Sequence, residues 1–166
     1  DDAVKELLEI ARPVTGDERT LLDQSYGRAS AEDVFAQIDV PFFDNSAMDG
    51  FAGSHGDLLE GMSYSVCDRI PAGRLGQTLT KNSLARIFTG APIPEGADTV
   101  IVQEDVEFSL DTATIKKLPK KYSNVRRRGH DISSGSLVVS KGEFLSSAAV
   151  ALLASVGETS VKVKIP

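Results

Sequence analysis

The sequence predicts an α+β chain, mainly β, folded as two lobes. Three observations predict it. Short apolar runs bounded by Gly and Pro recur through the middle of the chain, which is the pattern of strands and turns. Helical spacing is confined to the two ends. A strict alternation of apolar and charged residues closes the chain, with the period of a half-buried strand. The middle, 38–131, therefore reads as one β-rich lobe. Residues 1–37 and 132–166 make the other lobe, which is discontinuous in sequence.

The elements follow in order. Val4, Leu7, Leu8 and Ala11 recur at helical spacing. Asp1 and Asp2 sit at the positive end of that helix, and Pro13 stops it. Leu21 and Leu22 read as buried. Tyr26-Gly27-Arg28 reads as a turn and Ala29 to Phe35 as a short helix. Gln37 to Pro41 is extended. Strands are expected at Met62 to Ile70, Leu84 to Phe88 and Thr99 to Gln103. Val106-Glu107-Phe108 and Ala113-Thr114-Ile115 pair as a hairpin around Asp111. Leu137-Val138-Val139 is a short strand. Ser146 is an N-cap, Ser147 to Ser155 a helix of small residues, and Gly157 its stop. Val161, Val163 and Ile165 alternate with Lys162 and Lys164 in a last strand.

Bulk properties exclude some functions. A chain of 166 residues with a formal net charge of −6 is no general nucleic-acid binder. Cys67 is the sole cysteine, so there is no internal disulfide, and a reducing cytoplasm fits. No apolar run approaches the roughly 20 residues of a membrane helix. No signal-peptide pattern opens the chain. A first residue of Asp1 rather than Met is expected for a trimmed or truncated start.

Three segments carry candidate chemistry. The first, Pro41 to Ala52, holds Asp44, Asn45, Ser46 and Asp49 between aromatic residues. Asp-Asn-Ser and Asp-Gly are turn formers, so an ordinary turn uses the same residue types. Asp49 precedes Gly50, and a glycine there leaves room for a ligand to approach the carboxylate. That carboxylate suits a metal, an oxyanion-bound species or general-base work. The second segment, Ile87 to Glu104, carries Thr89-Gly90 after a strand. Such a loop points backbone N–H groups and a hydroxyl at an anion. It lacks the lysine of a P-loop. The third, Asn124 to Ile132, carries Arg126, Arg127, Arg128, His130 and Asp131. Arginine clusters bind oxyanions through paired N–H donors. Lys116, Lys117, Lys120 and Lys121 read as a solvated hairpin face. His55, His130 and Cys67 have no metal-ligand spacing.

Together these segments resemble the N-terminal half of the MoeA family of molybdopterin molybdenumtransferases, which includes the E domain of gephyrin. The motifs come in the family's order and spacing, over nearly the whole chain. The resemblance implies a linker domain and a β-barrel-like middle domain. It also implies that the family's molybdopterin-binding domain is absent, with the chain ending about where that domain begins. It assigns Asp49 and Asp131 as catalytic, and Thr89, Gly90 and Arg126 as substrate-binding; Asp44, Asn45 and Ser46 are expected either to bind substrate or only to hold the loop in shape. It names no metal ligand in the chain. The family often has an acidic residue where His130 stands. The implied reaction inserts molybdate into adenylylated molybdopterin and releases AMP, with Mg²⁺, at a site shared across a cytoplasmic homodimer. This part alone is expected to be inactive and to hold neither Mg²⁺ nor molybdate, and no nucleic acid or membrane is involved. The alternative is a non-catalytic dimerisation or partner-docking module of the same fold. An unrelated β-rich domain would require all three motifs to match by chance.

Overall fold

The computed structural model describes residues 2–12 and 14–165. The chain is mainly β with two helices, and it divides into a central unit, Asp39–Asp131, and a unit built from the segments on either side. Before the centre come α1 (Asp2–Ile10), β1 (Asp17–Leu21) and β2 (Val34–Phe35). The centre holds β3 (Asn45–Ser46), β4 (Gly50–Gly53), β5 (Ser63–Ile70), β6 (Ser83–Ile87), β7 (Thr99–Val102), β8 (Val106–Ser109), β9 (Thr112–Ile115) and β10 (Val125–Arg126). After it come β11 (Leu137–Val139), α2 (Ser147–Ser155) and β12 (Ser160–Lys164).

In the flanking unit, β1 pairs antiparallel with β12, and β2 with β11. The alternation at the end of the chain does what its period demands. Val161 and Val163 are buried with Leu22, Val139, Leu145 and Leu153. Lys162 and Lys164 face the other way and reach Asp17 at 3.4 and 2.5 Å. Helix α2 starts at the expected cap, where Ser146 Oγ accepts from the Ala149 N–H. Gly157 follows it at φ +89°.

Two expectations fail here. Leu22 is buried, but Leu21 is 56% exposed, because it ends β1 opposite Ser160 and only the next residue turns inward. Ala29 to Phe35 forms no helix. Its backbone bonds across the unit instead: Ser30 N–H to Glu143 O, Ala31 N–H to Lys162 O, and Lys164 N–H to Ala29 O. Pairing with distant strands outweighs a weak local helix preference. Helix α1 is present but none of its residues is buried, and Val4, Leu7, Leu8 and Ile10 are 59–74% exposed. The expected roles of Asp1 and Pro13 lie outside the described residues.

The central unit is a six-stranded sheet in the order β7-β4-β6-β5-β9-β8. Its two edges, β7 and β8, are joined only by the short turn Gln103–Asp105. A flat sheet of this size spans about 24 Å at ~4.8 Å per strand gap. Three residues reach only about 10–14 Å. The sheet therefore curls into a half-barrel. Its interior is filled by Phe51, Tyr64, Leu84, Ile101, Val106 and Ile115. The Phe51 and Phe108 rings meet with centroids 5.3 Å apart. The outer face carries Ala52, Ile70, Ala85, Ile87 and Val100, packed with Ala91 and Ile93 of the loop after β6. Burial on both faces fits the largely apolar run Leu84 to Phe88, which Arg86 alone interrupts. The expected hairpin around Asp111 is β8–β9. The β5–β6 pair is parallel, and the other pairs are antiparallel.

Candidate functional site

The three motif segments form one backbone network inside the central unit. Strand β3 lies between the other two motifs. On one side it pairs with β10, Ser46 opposite Val125 and Asn45 opposite Arg126. On the other side it meets the loop after β6. Gly90 N–H donates to Ser46 O at 2.8 Å, Ser46 N–H to Ala91 O at 2.9 Å, and Ile93 N–H to Asp44 O at 3.0 Å. Asn45 and Ser46 are buried at 8% and 1% exposure. Ser46 Oγ donates to Met48 O at 2.5 Å and accepts from Met48 N–H at 3.3 Å. These two residues shape the loop on which Asp49 stands.

Asp49 is tied to the second motif. Its Oδ1 accepts from the Thr89 N–H at 2.8 Å and from the Thr89 hydroxyl at 2.9 Å. The Thr89 N–H first, then its hydroxyl and the nearby Arg86 charge, hold the Asp49 carboxyl below the usual 3.8. Both bonds fall on Oδ1, so Oδ2 keeps its lone pairs for a cation or a water. Gly50 has a structural role that its position in the sequence does not reveal. A Cβ there would lie 2.0 Å from the Ile101 carbonyl oxygen, so the missing side chain lets β4 lie against β7.

The arginines of the third motif each have a carboxylate. Arg126 pairs with Asp131. Arg127 reaches Asp44 Oδ2 at 2.5 Å, and Arg128 Nε reaches Asp39 Oδ2 at 2.5 Å. Asp44 Oδ1 also accepts the Arg128 N–H at 2.8 Å. All three guanidinium groups are about half exposed or more. Exposed pairs of this kind are worth about 0–1 kcal/mol each. They hold the arginines in place, and little free energy is lost when one of them opens. The structure thus joins Asp49 to Thr89 and Arg126 to Asp131, and β3 couples the two pairs.

Two charged residues escaped the sequence reading. In the sequence Asp39 stands only within the extended segment Gln37 to Pro41. Arg86 sits in the middle of an apolar strand; one arginine within Leu84-Ala85-Arg86-Ile87-Phe88 was the signal. Its NH1 donates to Gly50 O at 3.1 Å and its NH2 to Gln103 Oε1 at 2.6 Å. Gln103 N–H in turn donates to Asp49 O at 3.1 Å. Arg86 thereby braces the backbone that follows the Asp49 side chain, at Gly50 O directly and at Asp49 O by way of Gln103.

The carboxylates set an acid limit. At Asp44, burial works to raise the pKa, but the Arg128 N–H and the Arg127 guanidinium outweigh it and the net shift is downward. At Asp98, burial is likewise outweighed by the His55 N–H, the Thr99 hydroxyl and Lys121. At Asp68, the Gln77 N–H leads the downward shift. Between the folded and unfolded pKa values the unfolded chain binds more protons, so stability rises with pH there. This stabilisation is complete above the unfolded value near 3.8 and is lost as pH falls through the lower folded values. Urea midpoints are expected to hold level from pH 7 to about 5 and to drop below about 4. A midpoint that stayed level down to pH 2 would contradict this.

Residues 1–157 match the family described as the MoeA N-terminal region (domain I and II). A molybdopterin molybdenumtransferase of Haemophilus influenzae is 41% identical over 164 residues, covering 98% of this chain and 41% of that protein. One from Staphylococcus epidermidis is 39% identical over 150 residues, covering 86% of this chain and 35% of that protein. A solved structure of a Pyrococcus horikoshii molybdopterin biosynthesis MoeA protein superposes with TM-score 0.90 at 30% identity, over 99% of this chain and 45% of that one. The chain thus spans about two fifths of the length of these relatives. Among the described residues no helix is long and apolar enough to cross a membrane, and no three His, Cys, Asp or Glu residues cluster to hold a metal ion.

Proposed function

The chain belongs to the MoeA family through that family's N-terminal region, and from this premise we propose that it supplies half of a molybdenum-insertion site. The whole protein would take adenylylated molybdopterin and molybdate as substrates, break the phosphoanhydride, and release molybdenum cofactor and AMP. The observation that carries this reading is the Asp49–Thr89 pair, held next to the Arg126–Asp131 pair by β3. Asp49 is an oriented, ionised carboxylate whose second oxygen is left for substrate, water or cation. Arg126 and the N–H groups of the Thr89-Gly90 loop are suited to offset negative charge as AMP leaves. Asp131 holds Arg126 in position until the oxyanion arrives. Asp44 does the same for Arg127, while Asn45 and Ser46 keep the loop in shape.

Mg²⁺ fits this set: a hard cation takes carboxylate oxygen together with substrate phosphate, and Asp49 Oδ2 is the oxygen that would hold it. Bound there, it would polarise the phosphate being cleaved.

We further propose that the whole protein is a cytoplasmic homodimer, with this region of one subunit facing the ligand-binding region of the other. The exposed apolar residues of α1 favour that association over a solvated face. One preparation of the purified chain tests both statements. Given adenylylated molybdopterin, molybdate and Mg²⁺, it is expected to release no AMP above background, and to sediment with a concentration-dependent dimer fraction. Turnover at the rate of a full-length relative would overturn the half-site reading. A strict monomer at high concentration would overturn the association.

A further inference from the structure

We propose that the mouth of the half-barrel is a second binding site, for a phosphate ester carried on an aromatic ring. The inference rests on a cavity of about 510 Å³ within the central unit and not on the proposed function. Cavities of this size and place, at the mouth of a curled sheet, are where small ligands bind. Leu84, Arg86 and Phe88 alternate along β6 and its extension, so they share the face on which Leu84 enters the barrel interior. At the mouth, Arg86 and Phe88 take the place of core residues.

The charge arrangement is the informative part. Arg69 of β5 is the register partner of Arg86 in the parallel β5–β6 pair. Two like charges on neighbouring strands repel, and a fold gains nothing from them by themselves. Both guanidinium carbons lie 4.9 Å from the centre of the Phe88 ring. Burial lowers the pKa of Arg86; the attraction of Asp49 opposes this and outranks the repulsion from Arg69, which lowers the pKa further, while Glu104 opposes least. Among the described residues no carboxylate pairs with Arg69, whereas Arg126, Arg127 and Arg128 all have one.

The acidic groups at the cavity do not neutralise the pair. Asp68 is occupied by Arg74 at 2.8 Å and by the N–H groups of Arg69 and Gln77. Asp111 stands exposed at the tip of the β8–β9 hairpin. An oxyanion between Arg69 and Arg86 would relieve the repulsion and accept from the exposed Arg69 guanidinium, which no carboxylate engages among the described residues. Phe108, half exposed on the cavity wall, offers an aromatic face to the ring of the ligand.

The test titrates phenyl phosphate and inorganic phosphate separately into the chain and follows backbone amide shifts by NMR. Phenyl phosphate is expected to shift the amides of Arg69, Phe88 and Phe108 saturably, at about tenfold lower concentration than inorganic phosphate. Arg69→Gln is expected to weaken phenyl phosphate about tenfold or more. The same variant is expected to melt at or above the parent temperature, since it removes a repulsion. No saturable shift at millimolar phenyl phosphate, shifts confined to other surfaces, or equal binding by parent and Arg69→Gln would each overturn the site. Equal binding of the two phosphates would overturn the aromatic part of the assignment.

Discussion

Gly50→Ala is expected to cost the chain most of its stability. A Cβ at this position falls 2.0 Å from the Ile101 carbonyl oxygen and 3.1 Å from a Val100 methyl. The first of these atoms is backbone, in a strand bonded along its length to β4 from Gly50↔Val102 to Gly53↔Thr99. It cannot rotate away as a side-chain end can. Relief requires prying β7 from β4, which opens the interior packing of Phe51 and Ile101. Overpacking that side chains can absorb costs about 1–3 kcal/mol. A backbone clash belongs at or above the top of that range, a large part of the ~5–15 kcal/mol that a domain has. The melting temperature is expected to fall by about 10 °C or more, or the chain to fail to fold. Gly56→Ala is the control: a Cβ there meets nothing within 4 Å, and its melting temperature should match the parent. A Gly50→Ala chain that melted with the parent would refute the close β4–β7 approach.

The same glycine shows what the sequence could and could not reveal. Asp49-Gly50 reads as a turn whose carboxylate suits a metal, an oxyanion-bound species or general-base work, and in the structure that carboxylate bonds Thr89. The atom that needs the glycine is Ile101 O, fifty-one residues on, and no local pattern announces it. Where structure is local, the residues speak plainly. The Ser146 cap, the β8–β9 hairpin and the alternation of β12 all follow from neighbours within a few positions. Where pairing is distant, they mislead. Ala29 to Phe35 has an acceptable helical composition, but its backbone groups are claimed by Lys162, Lys164 and Glu143. The site shows the same division. The Asp44–Asp49 loop, Thr89-Gly90 and Arg126–Asp131 were recognisable as motifs. That each arginine of the triplet has its own carboxylate was not, because Asp39 and Asp44 lie more than eighty residues away. Arg86 carries no local motif: its partners, Gly50 O and Gln103 Oε1, lie thirty-six and seventeen residues away.

Asp49→Asn is expected to cripple molybdenum-cofactor synthesis in the full-length protein while leaving the fold intact. The bonding at this residue makes the substitution clean. Asp49 Oδ1 accepts twice, from the Thr89 N–H and the Thr89 hydroxyl. An asparagine carbonyl oxygen can accept both bonds in the same geometry, more weakly than the carboxylate does, so the link between the first and second motifs survives. Asparagine also keeps the turn preference of this position. What disappears is the negative charge and the lone pairs of Oδ2, the features a cation or an activated water needs. Groups of this kind contribute about 10²-fold or more to rate. The decisive measurement is cofactor synthesis from adenylylated molybdopterin and molybdate by the parent and Asp49→Asn proteins, with melting temperatures taken on the same preparations. The expected result is equal melting and a rate lower by about 10²-fold; equal melting with an undiminished rate would contradict the catalytic role of Asp49 and leave the loop a purely structural turn.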